Sequence, residues 1–216
     1  MKTSILTILL ILMLSVPFAS AQKTAFGILG GVNFQNLNGK DDSGDKLDYD
    51  LLVGFHAGVN AQVPVAPDFY FQPGLLFSTK GASDKVGSTT TKIKISYLEL
   101  PLNFVYKPLV GKGHFMLGFG PYLAYGIGGK VSAGGTSSDI KFKSTVKTSD
   151  DPETFYLRAF DAGANIFAGY EFSNKIFCQL NTQLGLLKVN PDYDESPNSK
   201  ASVKNTGFGL SVGYRF

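Results

Sequence analysis

The sequence predicts an all-β fold: an eight-stranded antiparallel up-and-down transmembrane β-barrel behind a cleaved signal peptide. Three observations point there. Apolar residues recur at every second position in eight separate segments, with Gly, Asn, Gln or isolated charges between them, the period of a strand with two unlike faces. The connections alternate between long polar stretches and short turns, as in membrane barrels. The chain carries 25 Gly, 18 Phe and 10 Tyr but no Trp, and after the N-terminal segment it has no second long apolar run.

The first segment, 24–37, sets Phe26, Ile28, Val32 and Phe34 against Gly27, Gly31, Asn33 and Gln35. In the second, 51–63, Phe55, Ala57, Val59 and Ala61 oppose Gly54, His56, Gly58 and Asn60. A third covers 69–81, with Phe69, Phe71, Leu75 and Phe77 against Gln72, Gly74, Ser78 and Lys80. The fourth, 92–106, puts Leu98, Leu100, Leu102 and Phe104 opposite Tyr97, Glu99, Pro101 and Asn103. Segments at 114–129, 157–172 and 175–187 continue the pattern, and 204–216 closes it with Phe208, Leu210, Val212, Tyr214 and Phe216. Pro73, Pro101 and Pro121 fall inside strands and each removes a ladder donor, so bulges or shifted pairing are expected near them.

Four connections are long and polar: Asn38–Asp50, Ala82–Thr91, Lys130–Tyr156 and Lys188–Val203. Three are short: Pro64–Asp68, Lys107–Gly113 and Ser173–Asn174. Long loops outside and short turns in the periplasm put both termini in the periplasm of a bacterial outer membrane. An eight-stranded barrel fills its own interior. The Gly, Asn, Gln and charged face therefore suits the lumen, and the Phe, Leu, Val and Ile face suits lipid. A water-soluble lipocalin-like carrier would reverse the two. Phe26, Phe69, Tyr106, Tyr170, Phe172 and Tyr214 stand near strand ends, where an interfacial aromatic girdle belongs.

The termini agree with export. Lys2, the apolar run from Ile5 to Val16 and Ala19-Ser20-Ala21 make a signal peptide over 1–21, cleaved before Gln22. That leaves about 195 residues, 22–216, as one barrel domain. A terminal aromatic such as Phe216 resembles the signal by which outer-membrane barrels engage their insertion machinery.

Local motifs give a further resemblance. Gly54-Phe55-His56-Ala57-Gly58, Phe71-Gln72-Pro73-Gly74-Leu75, Tyr97-Leu98-Glu99-Leu100-Pro101-Leu102 and Phe160-Asp161-Ala162-Gly163 resemble the PorT-like outer-membrane β-barrel family of Bacteroidota. The Tyr-Leu-Glu-Leu-Pro-Leu stretch is the most specific of these. Gly74 departs from a Glu found in many relatives, so one luminal acid is missing here. The resemblance implies an eight-stranded barrel without one shared activity; the namesake assists protein secretion.

Chemistry follows from parity. Glu99, Asp161, Glu171, Lys80, Arg215 and His56 all fall on the luminal face. Buried ionisable groups require partners, so the expected role is a structural polar network, with a proton relay or small-ligand site as the other reading. His56 could pair with Asp161 or Ser211 in the manner of a hydrolase, but the spacing shows no activated nucleophile. No enzyme activity and no cofactor is expected.

Asp41-Asp42-Ser43-Gly44-Asp45 clusters oxygen ligands but lacks the full calcium-loop spacing. Asp192, Asp194 and Glu195 carry the same ambiguity. Two separated histidines and the lone Cys178 do not make a transition-metal site. Net charge of +3 without a basic cluster gives no nucleic-acid partner. The expected partners are outer-membrane lipid, the insertion machinery and envelope or secretion proteins, met by a monomer through its loops, with Lys130–Tyr156 foremost.

Overall fold

The computed structural model describes residues 23–87, 89–196 and 199–216, so the expected signal peptide and its cleavage point lie outside the described residues. Eight long strands form: β1 (Ala25–Lys40), β2 (Leu52–Ala66), β3 (Phe69–Val86), β4 (Thr89–Tyr106), β5 (Gly113–Ala133), β6 (Phe160–Glu171), β7 (Ile176–Gly185) and β8 (Ser202–Arg215). Each pairs antiparallel with its sequence neighbours, and β8 pairs back onto β1 from Gly27↔Arg215 to Lys40↔Ser202. The ring is closed, so no long strand is left with a free edge along the barrel wall.

The alternation in the sequence becomes an inside and an outside. Phe26, Val59, Phe104, Phe119, Ile166, Leu180 and Leu210 are exposed on the outer surface, whereas Gln35, Gln62, Lys80, Glu99, Tyr122, Asp161 and Ser211 are buried within. So large a continuous apolar exterior is far beyond what a water-soluble monomer carries. Aromatic pairs mark the short-turn end of this belt: Phe69 with Tyr106, Tyr170 with Phe172, and Tyr214 with Phe216. Cys178 stands on the outer face of β7, half-buried among its neighbours.

Two expectations need correction. The segment 82–91 is no loose loop: β3 and β4 run on through it, paired Ser83↔Lys92 and Asp84↔Thr91, and turn at Gly87 with φ of 61°. Thr89, Thr90, Thr91 and Ile93 are β-branched and pair well, and strands rising out of an apolar belt can be polar on both faces.

Pro73, Pro101 and Pro121 cause no shift either. Register is the same on both sides of Pro73, Pro101 and Pro121; the irregularities lie at Pro64/Ala66 and Ser96/Tyr97 instead. Pro101 points into the barrel, where Gly74 makes room for it: a Cβ at Gly74 would lie 3.1 Å from Pro101 Cγ.

Above the His56↔Ser78 pair the β2–β3 ladder opens. Thr79 Oγ1 fills the gap, accepting the Phe55 N–H at 2.7 Å and donating to the Phe55 carbonyl at 3.1 Å. Gly54 permits this approach, since a Cβ there would sit 2.4 Å from Thr79 Oγ1.

The long Lys130–Tyr156 connection is also ordered. Thr136–Asp139 folds back on β5, and Lys141–Phe142 pairs with Tyr156–Leu157. Ile140 and Leu157 are buried against Ile95, Tyr97, Tyr122 and Ala124, with Phe142 beside them. This connection caps the long-loop end of the barrel. Thr145–Val146 in turn pairs with Asp192–Tyr193 of the last connection, so the two loops are stitched together.

Candidate functional site

The lumen holds two ionic clusters with a neutral hydrogen-bonded layer between them. Toward the long-loop end, β3 delivers Lys80, β4 Glu99 and β6 Asp161. The Lys80 ammonium lies 2.9 Å from Glu99 Oε2 and 3.4 Å from Asp161 Oδ2, with all three side chains sealed from solvent. It also rests 3.9 Å from the centre of the Tyr122 ring, a cation–π contact strengthened by the dry surroundings. Tyr122 and Asn205 donate to Asp161 Oδ2 at 3.2 and 2.9 Å, and Gln183 donates to Glu99 Oε1 at 2.6 Å. One cation facing two carboxylates is tolerable here because neutral donors share the load on the carboxylate oxygens.

Toward the short-turn end, Glu171 is shared by two cations. Lys107 Nζ lies 2.8 Å from Glu171 Oε1, and Arg215 Nε lies 3.5 Å from Oε2. Lys107 also donates to Gln62 at 3.0 Å, Gln62 donates to Gln72 at 2.7 Å, and Arg215 donates to Asn60. The guanidinium stacks over Phe177 with 5.0 Å to the ring centre. Among the described residues, three buried cations (Lys80, Lys107, Arg215) balance three buried anions (Glu99, Asp161, Glu171). The sequence pattern places Lys107 at the start of the short Lys107–Gly113 connection. Extending the fourth segment's parity by one residue would have put it in the lumen.

His56 sits between the clusters. The Asn33 amide nitrogen donates to Ser78 Oγ at 3.1 Å and to the Thr79 carbonyl at 3.4 Å, which turns the Asn33 oxygen toward His56 Nδ1 at 2.7 Å. His56 Nδ1 is therefore the protonated nitrogen and Nε2 the acceptor, and Nε2 takes the Ser211 hydroxyl at 2.7 Å. Asn181 donates to the same Ser211 oxygen at 3.3 Å. Of the two pairings weighed from sequence, His56 makes the one with Ser211; Asp161 is engaged by Lys80, Tyr122 and Asn205.

Ser211, His56 and Asn33 thus have the order of a nucleophile, base and orienting group. The surroundings do not suit turnover. Ser211 is fully buried, and the adjoining luminal cavity measures about 50 Å³, room for a few waters. Asn103 Oδ1 and Asn165 Nδ2, buried on the wall of this cavity, lack protein partners among the described residues, so the space is polar.

The family profile of the outer membrane protein beta-barrel domain matches residues 19–190. The chain belongs to that family. Among curated proteins, none matches it in sequence. Two solved outer-membrane proteins are similar to this family barrel. Ail, the attachment invasion locus protein of Yersinia pestis, crystallised with the heparin analogue sucrose octasulfate, is similar at 16% identity over 90% of this chain and 100% of that one, with a TM-score of 0.42. A major outer membrane protein from Thermus thermophilus is similar at 14% identity over 90% and 100% of the two chains, with a TM-score of 0.41.

In this family barrel Asp41 and Asp192, one from each acidic loop, have partners within the chain. Asp41 Oδ1 accepts the backbone N–H groups of Ser43, Gly44 and Asp45, each at 2.9 Å, a self-contained turn. Asp192 pairs with Lys188 and Arg158, and these contacts hold its carboxyl below the usual aspartate value.

Proposed function

We propose that this outer-membrane barrel is a non-enzymatic surface or scaffold protein that acts through its long connections. The lumen carries the argument: its charges cancel, ion clusters close it at both levels, and the space left over is water-sized. Transport and catalysis both need a path that such an interior does not offer. The ordered, stitched connections at the other end of the strands are the part built for contact.

In this reading the long connections are extracellular and both termini periplasmic. Phe216, exposed at the short-turn end, serves recognition by the insertion machinery, and the barrel works as a monomer. The PorT-like resemblance of the Tyr97–Leu102 stretch supports a second reading, an accessory role in secretion or envelope assembly.

A tagged pull-down from native outer membranes in mild detergent, with an unrelated barrel as control, separates the two. Specific stoichiometric envelope proteins favour the accessory role. Recovery of the barrel alone favours the autonomous surface protein.

A further inference from the structure

Three connections at the long-loop end, with Leu37 and Ile93 of the barrel strands, line a half-open cavity of about 230 Å³. Four aromatic residues contribute to its walls: Tyr49 from the β1–β2 connection, Phe155 and Tyr156 from the β5–β6 connection, and Tyr193 from the β7–β8 connection. We propose that this cavity binds a small organic cation with an apolar body, such as a quaternary ammonium group.

Aromatic faces present negative charge, and several rings around one cavity supply the chemistry of an ammonium cage. The structure already has one such contact nearby, Lys143 lying 5.5 Å from the centre of the Tyr156 ring. Asp41 and Asp42 are part of the cavity wall together with Lys40, and the Lys143 ammonium over Tyr156 is paired with Asp150. Asp41 uses one oxygen in its own turn and Asp42 uses one to accept the Ser199 hydroxyl, which leaves each a second oxygen for a ligand. Arg158 and Lys188 do not neutralise these carboxylates, because both are taken by Asp192.

Burial raises the Tyr49 hydroxyl pKa, and the Asp84 and Asp41 carboxylates raise it further. Tyr193 is raised by burial and then by Asp42. Tyr156 is buried in the wall, 6% exposed.

The walls are also preorganised, which lowers the cost of binding. Asn36 Nδ2 holds the Tyr49 carbonyl at 2.9 Å. Arg158 Nε holds the Asn190 carbonyl at 2.9 Å, and the Asn190 side chain accepts the Val203 N–H at 2.8 Å. A ligand would enter a cage whose loops are already fixed.

The test uses the full barrel refolded in octyl glucoside, which carries no ammonium group. Choline chloride is titrated against its uncharged carbon isostere 3,3-dimethylbutan-1-ol, with binding followed by ligand-observed NMR. Saturable choline binding at least tenfold tighter than that of the isostere is expected. Asp42→Asn should weaken it about tenfold and Tyr193→Ala should abolish it, while both variants keep the wild-type folded gel mobility. Equal binding of the two compounds, no saturable choline signal, or choline affinity unchanged in both variants overturns the proposal.

Discussion

His56 Nε2 lies 2.7 Å from the Ser211 hydroxyl across the β1 strand that separates their own strands, and Gly31 is what lets them meet. A Cβ at Gly31 would stand 2.7 Å from His56 Cε1 and 2.0 Å from the Leu210 carbonyl. With Asn33 and Ser78 the pair links β1, β2, β3 and β8 in one buried layer. A hydrogen-bonded layer of this kind fixes strand register, because a one-residue slip would turn every partner to the lipid side.

His56→Ala should therefore destabilise the barrel without altering any activity. It removes the His56 partner of the Asn33 oxygen and of the Ser211 hydroxyl in the buried layer, at about 1–3 kcal/mol. Urea unfolding of the detergent-refolded protein reads this directly. Ser211 should also stay unlabelled by a fluorophosphonate in the folded barrel. Labelling that disappears in His56→Ala would revive the hydrolase reading.

Lys80 should matter more than any other luminal cation, since two carboxylates depend on it. Lys80→Met should cost about 3–5 kcal/mol by leaving both anions uncompensated. Adding Glu99→Gln and Asp161→Asn to the same chain should recover most of that loss. If the triple variant is no more stable than Lys80→Met, the cost lies in packing against Tyr97 and Tyr122 and not in charge.

The outer face gives a different test. Phe119 is 61% exposed on β5. Phe119→Arg should cost about 2–4 kcal/mol if that position is near the bilayer midplane, lowering the yield of folded barrel in liposomes. Normal folding of the variant in buffer without detergent would instead favour a soluble carrier.

Removing the β5–β6 connection should leave insertion intact but not stability. Ile140, Phe142 and Leu157 cover Tyr97 and Tyr122 at the mouth. Ile140→Ala alone should cost about 2–4 kcal/mol, as for other large-to-small changes in packed sites. Thermal shifts of gel mobility would report it. An unchanged midpoint for both the deletion and Ile140→Ala would show that the cap contributes no packing.

The sequence by itself determined the strand count, the strand order and the side on which each residue lies. Parity is enough for that: a residue two positions from Glu99 shares its face whatever the rest of the chain does. It therefore assigned Lys80, Glu99, Asp161, Glu171, Arg215 and His56 to the lumen, where the structure has them buried.

Only the tertiary structure decided which of them meet. Partner choice depends on the stagger between strands and on the bulge at Ser96/Tyr97, and no local pattern encodes the register accumulated around a closed ring. Hence the pairing of His56 with Ser211 rather than Asp161, and the recruitment of Lys107 to Glu171, came from the closed barrel. The long connections show the same limit. Their polarity reads as loop, but burial of Ile140 and Leu157 against residues from β4 and β5, distant in sequence, folds them into a cap.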